Sequence, residues 1–164
     1  MKIQAHMTKS LVDYEEGGKK RRLVFTGDLG RKHLPILRDP ETVDEADVLI
    51  TEGTYGGRYH KPIEDAREDL AQVIVKTYER NGIVIIPSFA VGRTQEVVYD
   101  LQRLVDEKRI PDLPVYVDSP LAINVTEVFR MHPECYDEEI RTFIDRDPDG
   151  NAFGWSRLTY VRDA

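Results

Sequence analysis

Two carboxylates in the sequence follow apolar runs and lie beside glycines, a placement that suits chemistry. Asp28 comes after the run Leu23–Thr26, and Glu52 ends the run Val48–Thr51. Asp28 at such a point can turn both oxygens toward metal ions, and Glu52 can orient a catalytic histidine. The alternatives are a turn aspartate bonded to its own backbone and an acid in a surface loop. Residue spacing alone leaves these alternatives open.

A third polar segment, Phe89–Glu96, spans a predicted strand-to-helix junction. The free N–H groups of a helix N-terminus can receive a phosphate, and Arg93 can add a charge-assisted contact. The alternative is that Arg93 pairs with an acid such as Glu96. The four histidines form no pair at metal-ligand spacing, so the sequence shows no closed metal site.

Composition places the chain among soluble globular proteins, since 40% of its 164 residues are hydrophobic and 32% are charged. No apolar run reaches the roughly 20 residues of a membrane span, and no signal peptide is apparent. The single Cys135 fits a reducing compartment, so we expect a cytoplasmic protein without a membrane partner. The net charge of -7 neither establishes nor excludes a nucleic-acid partner. The basic cluster Lys19–Arg22 either contacts phosphates or forms a solvated turn.

The elements that must position these residues begin with a hairpin and continue as alternating strands and helices. The hairpin strands are expected at 11–14 and 22–26, and later strands at 48–51, 83–86, 114–117 and 157–161. Helices are expected after Pro62, around residues 94–105, and after Ser119 as the cap. This order predicts an α/β fold with a parallel sheet, whose strands carry functional groups beyond their carboxyl ends. Those ends carry Glu52, Ser88–Arg93 and Asp118–Ser119.

Four segments resemble, in this order, motifs of the metallo-β-lactamase/β-CASP family of nucleases. They are Leu23–Arg31, Ala46–Gly56, Pro87–Glu96 and Val115–Ala122. The family includes bacterial RNA-metabolising nucleases and the endonuclease subunit of the cleavage-and-polyadenylation machinery. The resemblance implies a three-layer, parallel-sheet β-CASP domain over residues 46–164. A partial metallo-β-lactamase-like segment over residues 1–45, with the β-hairpin as its remnant, would precede that domain.

The resemblance also implies roles for the candidate residues. Asp28 would bridge two zinc ions, and Glu52 would orient a histidine that protonates the leaving oxygen of RNA. His6, which lies 22 residues before Asp28, has the separation expected of a further zinc ligand. The residues expected to contact the RNA substrate are Arg93, Ser88, Asp118 and Ser119.

The family's H-x-H-x-D-H motif, which supplies most zinc ligands, is absent from this sequence. We therefore expect the chain to be a fragment of a zinc-dependent ribonuclease that is inactive in isolation. A homodimer formed through the parent protein is a further expectation. Two alternatives stay open: a non-catalytic module that binds RNA or acts as a scaffold, and a DNA-directed nuclease of the same family.

Overall fold

A computed structural model describes residues 3–4, 10–30, 32–39, 41–148 and 150–162. The chain divides into two compact units, Met1–His60 and Lys61–Ala164. The predicted domain boundary after residue 45 rests on sequence motifs and stays a prediction. No helix in the described ranges combines the length and apolarity needed to cross a membrane.

The first unit is built from short strands. In chain order they are β1 (Ile3–Gln4), β2 (Ser10–Glu16), β3 (Lys19–Phe25), β4 (Thr42–Val43) and β5 (Val48–Ile50). β2 and β3 form the predicted antiparallel hairpin, and β3 also pairs with β5 in parallel. The hairpin turn is tighter than predicted, since only Gly17 and Gly18 separate the strands. Both have positive φ angles, 58° and 74°, which glycine adopts without steric cost.

The core of the first unit forms around β3. Val24 is fully buried and packs with Val43 of β4 and Leu49 of β5. β2 is exposed along its whole length, so it lies at the outer edge of the three-stranded sheet. β3 is therefore the strand that fixes the position of β5.

The second unit combines four α-helices with two strands in its described part. They are α1 (Ile63–Glu79), α2 (Arg93–Asp106), β6 (Val115–Val117), α3 (Pro120–Met131), α4 (Glu138–Arg146) and β7 (Leu158–Tyr160). The core joins α1 to α2: Ala71 and Ile74 of α1 pack with Leu101 and Leu104 of α2, and with Ile110. β6 and β7 pair in parallel.

The predicted helices are confirmed. Local sequence signals set their limits. α1 starts after Pro62, whose fixed φ suits a helix start, and it ends before Asn81 and Gly82. Ser119 caps α3 by accepting a hydrogen bond from the Ala122 amide at 3.2 Å. Pro120 occupies the first helical position, as expected.

The predicted buried strand at Ile83–Ile86 is wrong. Ile83 and Ile85 are 87% and 83% exposed, and these residues form no strand in the described structure. Val84 alone packs against the helical core. An apolar run predicts burial, but it does not supply a neighbouring strand for hydrogen bonding. β6 pairs with β7 rather than with the run Ile83–Ile86.

The predicted parallel sheet is found in part, because the described residues form separate parallel pairs in the two units. β5 pairs with β3 inside the first unit, whereas β6 pairs with β7 inside the second. The fold is α/β with parallel pairing in each unit, but the strand that carries Glu52 and the strand that carries Asp118 belong to different sheets. The sequence pattern could not distinguish pairing of β5 with β3 from pairing of β5 with a later strand, because an apolar strand suits either neighbour.

Candidate active site

Asp28 and Glu52 lie at the same edge of the first unit's sheet. Parallel pairing places Phe25 at the end of β3 opposite Ile50 at the end of β5. Asp28 follows Phe25 by three residues, and Glu52 follows Ile50 by two. The structure therefore brings together the two carboxylates that the sequence singled out, beyond the carboxyl ends of neighbouring strands.

Hydroxyl groups continue the contact between these strand ends after the strands stop. The Thr26 amide donates to the Ile50 carbonyl at 3.0 Å, and Thr26 itself is fully buried. The Thr26 hydroxyl lies 3.4 Å from the Thr51 hydroxyl and donates to the Gly27 carbonyl at 2.8 Å. The loop that begins at Gly27 is thus fixed at its first residue.

The Asp28 carboxylate is exposed and has no hydrogen-bond donor among the described residues. Gly27, just before it, has a φ of 57°, the left-handed region that glycine tolerates best. The alternative of a turn aspartate bonded to its own backbone is therefore not observed. Both oxygens of Asp28 are available for a cation or for a hydrogen-bond donor.

The Glu52 carboxylate, in contrast, accepts hydrogen bonds from two neighbours. One oxygen accepts a hydrogen bond from the Leu29 amide at 2.6 Å, and the other accepts from the Thr54 hydroxyl at 2.6 Å. The Thr54 hydroxyl and then the Leu29 amide lower the pKa of Glu52 below its ordinary value. Glu52 is therefore an anion at neutral pH and a hydrogen-bond acceptor for the loop that carries Asp28.

No cluster of three or more His, Cys, Asp or Glu side chains that could hold a metal ion occurs among the described residues. His6 lies outside those residues, so its predicted role stays a prediction. His60 packs edge-on against Tyr55, with ring centroids 4.8 Å apart, and His132 contacts Glu134 at 2.7 Å. Within the first unit, His60 has no contact with Asp28 or Glu52 among the described residues.

Arg93, at the start of α2, is paired within its own helix. Its guanidinium lies 2.9 Å from the Glu96 carboxylate, so the local ion pair expected as the alternative is present. The Arg93 side chain is still 63% exposed, which leaves it accessible to an anion. Ser88 and Asp118 are exposed, whereas the Ser119 hydroxyl is occupied as the cap of α3.

The basic cluster Lys19–Arg22 is part of strand β3 rather than a turn, contrary to one reading of the sequence. Arg22 forms two hydrogen bonds with Asp13, at 2.7 and 3.0 Å. Lys19 and Lys20 lie opposite Glu16 and Glu15 in the hairpin register. Acids of β2 thus face this cluster, which weakens it as a phosphate site.

Gln95 has no role predicted from the sequence, yet this residue links three segments of the second unit. Its side chain is fully buried, and its amide nitrogen donates to the Ala90 carbonyl at 3.2 Å and to the Thr126 hydroxyl at 2.9 Å. It also lies 3.4 Å from the Ala122 carbonyl. A polar residue on the same helical face as Val98 was the signal that could have found it.

Replacing Gln95 by alanine should destabilise the second unit by about 1–3 kcal/mol, because buried acceptors such as the Thr126 hydroxyl lose their donor. The same substitution should accelerate hydrogen exchange over residues 88–92, because the Gln95 side chain holds that loop through the Ala90 carbonyl. The matched control is Gln72→Ala, an exposed glutamine on α1 whose loss should change stability by less than about 0.5 kcal/mol. Equal effects of the two variants would contradict the anchoring role.

Comparison with known proteins identifies relatives of this chain. Residues 94–164 match the model of the Beta-Casp domain. The chain is 37% identical over 124 residues to Ribonuclease TTHA0252 of Thermus thermophilus, covering 76% of the chain and 28% of the relative. It is 34% identical over 132 residues to Transcription termination factor FttA of Methanosarcina mazei, covering 78% and 20%.

Endoribonuclease YSH1 of Saccharomyces cerevisiae is 32% identical over 149 residues, which cover 87% of the chain. The chain spans only 19% to 28% of the length of these three relatives. The aligned share of the chain, 76% to 87%, is larger than the part that matches the domain model, so the similarity extends before residue 94. These matches show a Beta-Casp domain over residues 94–164, in a chain that is similar to ribonucleases over 76% to 87% of its length.

Proposed function

We propose that the protein is a ribonuclease that hydrolyses RNA phosphodiester bonds in RNA processing or decay, with Asp28 at the reacting centre. The observation that carries this proposal is the exposed Asp28 carboxylate, which has no hydrogen-bond donor among the described residues. It lies on a loop whose Leu29 amide donates to the Glu52 carboxylate. Two of the relatives are named ribonuclease or endoribonuclease, which supports RNA as the substrate.

Zinc is the cofactor that we propose, and the described residues fit it only in part. A carboxylate with both oxygens free is a suitable ligand, but zinc takes three or four protein ligands. The described residues bring no such set together, so further ligands, His6 among them by proposal, must complete the two-ion site. Zinc, when bound, would supply Lewis acidity toward a phosphate.

The other candidate residues take roles that match their surroundings. Glu52 stays ionised because its pKa is lowered, so it is not itself the proton donor to the leaving oxygen. Arg93 can exchange its partner Glu96 for an RNA phosphate, since its side chain is largely exposed. Ser88 and Asp118 are proposed to line the substrate path, and Ser119 to support it as a helix cap.

The domain arrangement belongs to the same proposal. Residues 46–164 would form a three-layer β-CASP domain, and the hairpin of β2 and β3 would belong to a metallo-β-lactamase-like domain. The free, exposed Cys135 supports a reducing, cytoplasmic setting. The expected homodimer stays a prediction.

A competition assay separates the proposed function from its alternatives. Full-length protein is mixed with equal amounts of RNA and DNA of one sequence, each with its own label, and both are followed over time. Preferential cleavage of RNA supports the proposal. Cleavage of DNA instead, or binding of RNA without cleavage of either strand, would reject it in favour of a DNA-directed nuclease or a non-catalytic module.

A further inference from the structure

Each oxygen of the Glu52 carboxylate accepts a hydrogen bond from a neighbour in its own unit. One partner is the backbone amide of Leu29, in the loop that carries Asp28. The other is the hydroxyl of Thr54, two residues after Glu52. The contact with the Leu29 amide connects this segment to the loop that carries Asp28. We refer to the contact between Glu52 and the Leu29 amide as the loop brace.

We propose that Glu52 is a positioning residue, whose loop brace fixes the conformation of residues 27–30 and so the direction of the Asp28 carboxylate. This inference rests on the proposed function for the role of Asp28. The brace itself is a feature of the fold and can be measured without substrate or metal.

The brace acts where strand pairing has ended. The last parallel pair joins Phe25 to Ile50, and the last backbone bond between these segments runs from the Thr26 amide to the Ile50 carbonyl. Beyond this point the described contacts between the two segments are made by side chains, at Thr51 and at Glu52. Leu29 is 43% exposed, so packing of its side chain does little to hold the loop.

The position of the Glu52 carboxylate is itself fixed from the other side. The Thr54 hydroxyl donates to its second oxygen, and the Gly56 amide donates to the Gly53 carbonyl at 3.0 Å to close a turn around Thr54. Hydrogen bonds to an ionised acceptor are shorter and stronger than neutral ones, and both contacts of Glu52 are 2.6 Å long. The brace is therefore supported at both carboxylate oxygens.

A positioning role and a direct chemical role predict different results for glutamine at this site. Glu52→Gln keeps an oxygen that accepts from the Leu29 amide, and its new amide can donate to the Thr54 hydroxyl oxygen. The geometry is thus retained while the negative charge is lost. Glu52→Ala loses both contacts. If Glu52 acted through its charge, glutamine and alanine would be equally harmful.

The test measures hydrogen exchange at the Leu29 amide and the rate of RNA cleavage, both in the full-length protein. Glu52→Ala should speed exchange at Leu29 about tenfold or more and lower kcat about 10- to 100-fold, with KM little changed. Glu52→Gln should stay within about threefold of wild type in both, with an unchanged pH profile of cleavage. Glu45→Ala, an exposed glutamate of the same unit, is the matched control and should change neither.

Unchanged Leu29 exchange in Glu52→Ala would overturn the brace. Loss of cleavage in Glu52→Gln with Leu29 protection intact would overturn the positioning role, and would assign Glu52 a role through its charge. A wild-type protein that cleaves no RNA would sink the proposed function alone, because the exchange of the Leu29 amide still decides whether the brace exists.

Discussion

Replacing Asp28 by asparagine should lower RNA cleavage by the full-length protein at least about a hundredfold, equivalent to about 3 kcal/mol of transition-state stabilisation. Asparagine has nearly the same shape as aspartate, and the loop brace from Glu52 to Leu29 does not involve the Asp28 side chain. The loop should therefore keep its conformation while losing its exposed negative charge. The measurement is kcat and KM on a labelled RNA, and the loss should fall on kcat.

The matched control for this variant is Asp44→Asn, since Asp44 is also an exposed aspartate of the first unit. It makes the same change in net charge and should leave kcat within about twofold of wild type, as expected for an exposed position without a structural role. Circular dichroism should show that both variants fold. Cleavage by Asp28→Asn at the wild-type rate would remove Asp28 from the reacting centre.

Replacing Arg67 by methionine should destabilise the second unit by about 3–5 kcal/mol, the largest stability change that we expect from one substitution. Arg67 of α1 donates to Asp100 of α2 at 2.9 Å, and their side chains are only 17% and 18% exposed. Without Arg67, the Asp100 carboxylate remains buried with its main partner lost. The free energy of unfolding in urea measures the effect.

The variant should also respond to pH. Burial raises the pKa of Asp100 above its ordinary value, and Arg67 opposes this, so loss of Arg67 raises that pKa further. The folded form then binds the proton more tightly than the unfolded form. Its stability should therefore increase as the pH falls from 7 toward about 4, the ordinary pKa of an aspartate.

Two further variants distinguish a buried charge from a lost contact. Arg67→Met combined with Asp100→Leu should recover much of the stability, because an apolar pair leaves no unpaired charge. Lys61→Met disrupts the exposed pair with Asp69, whose side chains are 70% and 55% exposed, and should leave the free energy of unfolding almost unchanged. Similar losses in Lys61→Met and Arg67→Met would contradict the account of a buried pair.

The helices could be predicted from the sequence because their signals are local. Pro62 and Asn81 mark the limits of α1, and the Ser119 hydroxyl with Pro120 starts α3. These residues act on the backbone within one helical turn, so neighbours distant in sequence do not change the outcome. The hairpin of β2 and β3 was predictable for the same reason, since two glycines form its turn.

Strand pairing could not be predicted to the same degree. The run Ile83–Ile86 has the composition of a buried strand, yet Ile83 and Ile85 are exposed. Hydrophobicity reports the free energy of burial, whereas pairing depends on which other backbone is close enough to form hydrogen bonds. For the same reason, the sequence could not predict that β5 pairs with β3 rather than with a later strand.

The candidate site was predicted in its residues but not in its contacts. Asp28 and Glu52 were identified from their positions after apolar runs, and the structure places them at one sheet edge. Their different states were not predictable, because the exposed Asp28 and the engaged Glu52 depend on where the Leu29 amide and the Thr54 hydroxyl point. Gln95 was missed because its partners lie up to 31 residues away in sequence.

RNA cleavage by the full-length protein before and after removal of metal tests the central claim most directly. The protein is treated with a chelator, assayed on labelled RNA, and assayed again after zinc is added back. We expect cleavage to be lost on chelation and restored by zinc, because Asp28 is proposed to act by holding the metal at the reacting centre. Cleavage that continues at the wild-type rate in the chelated protein would contradict the account.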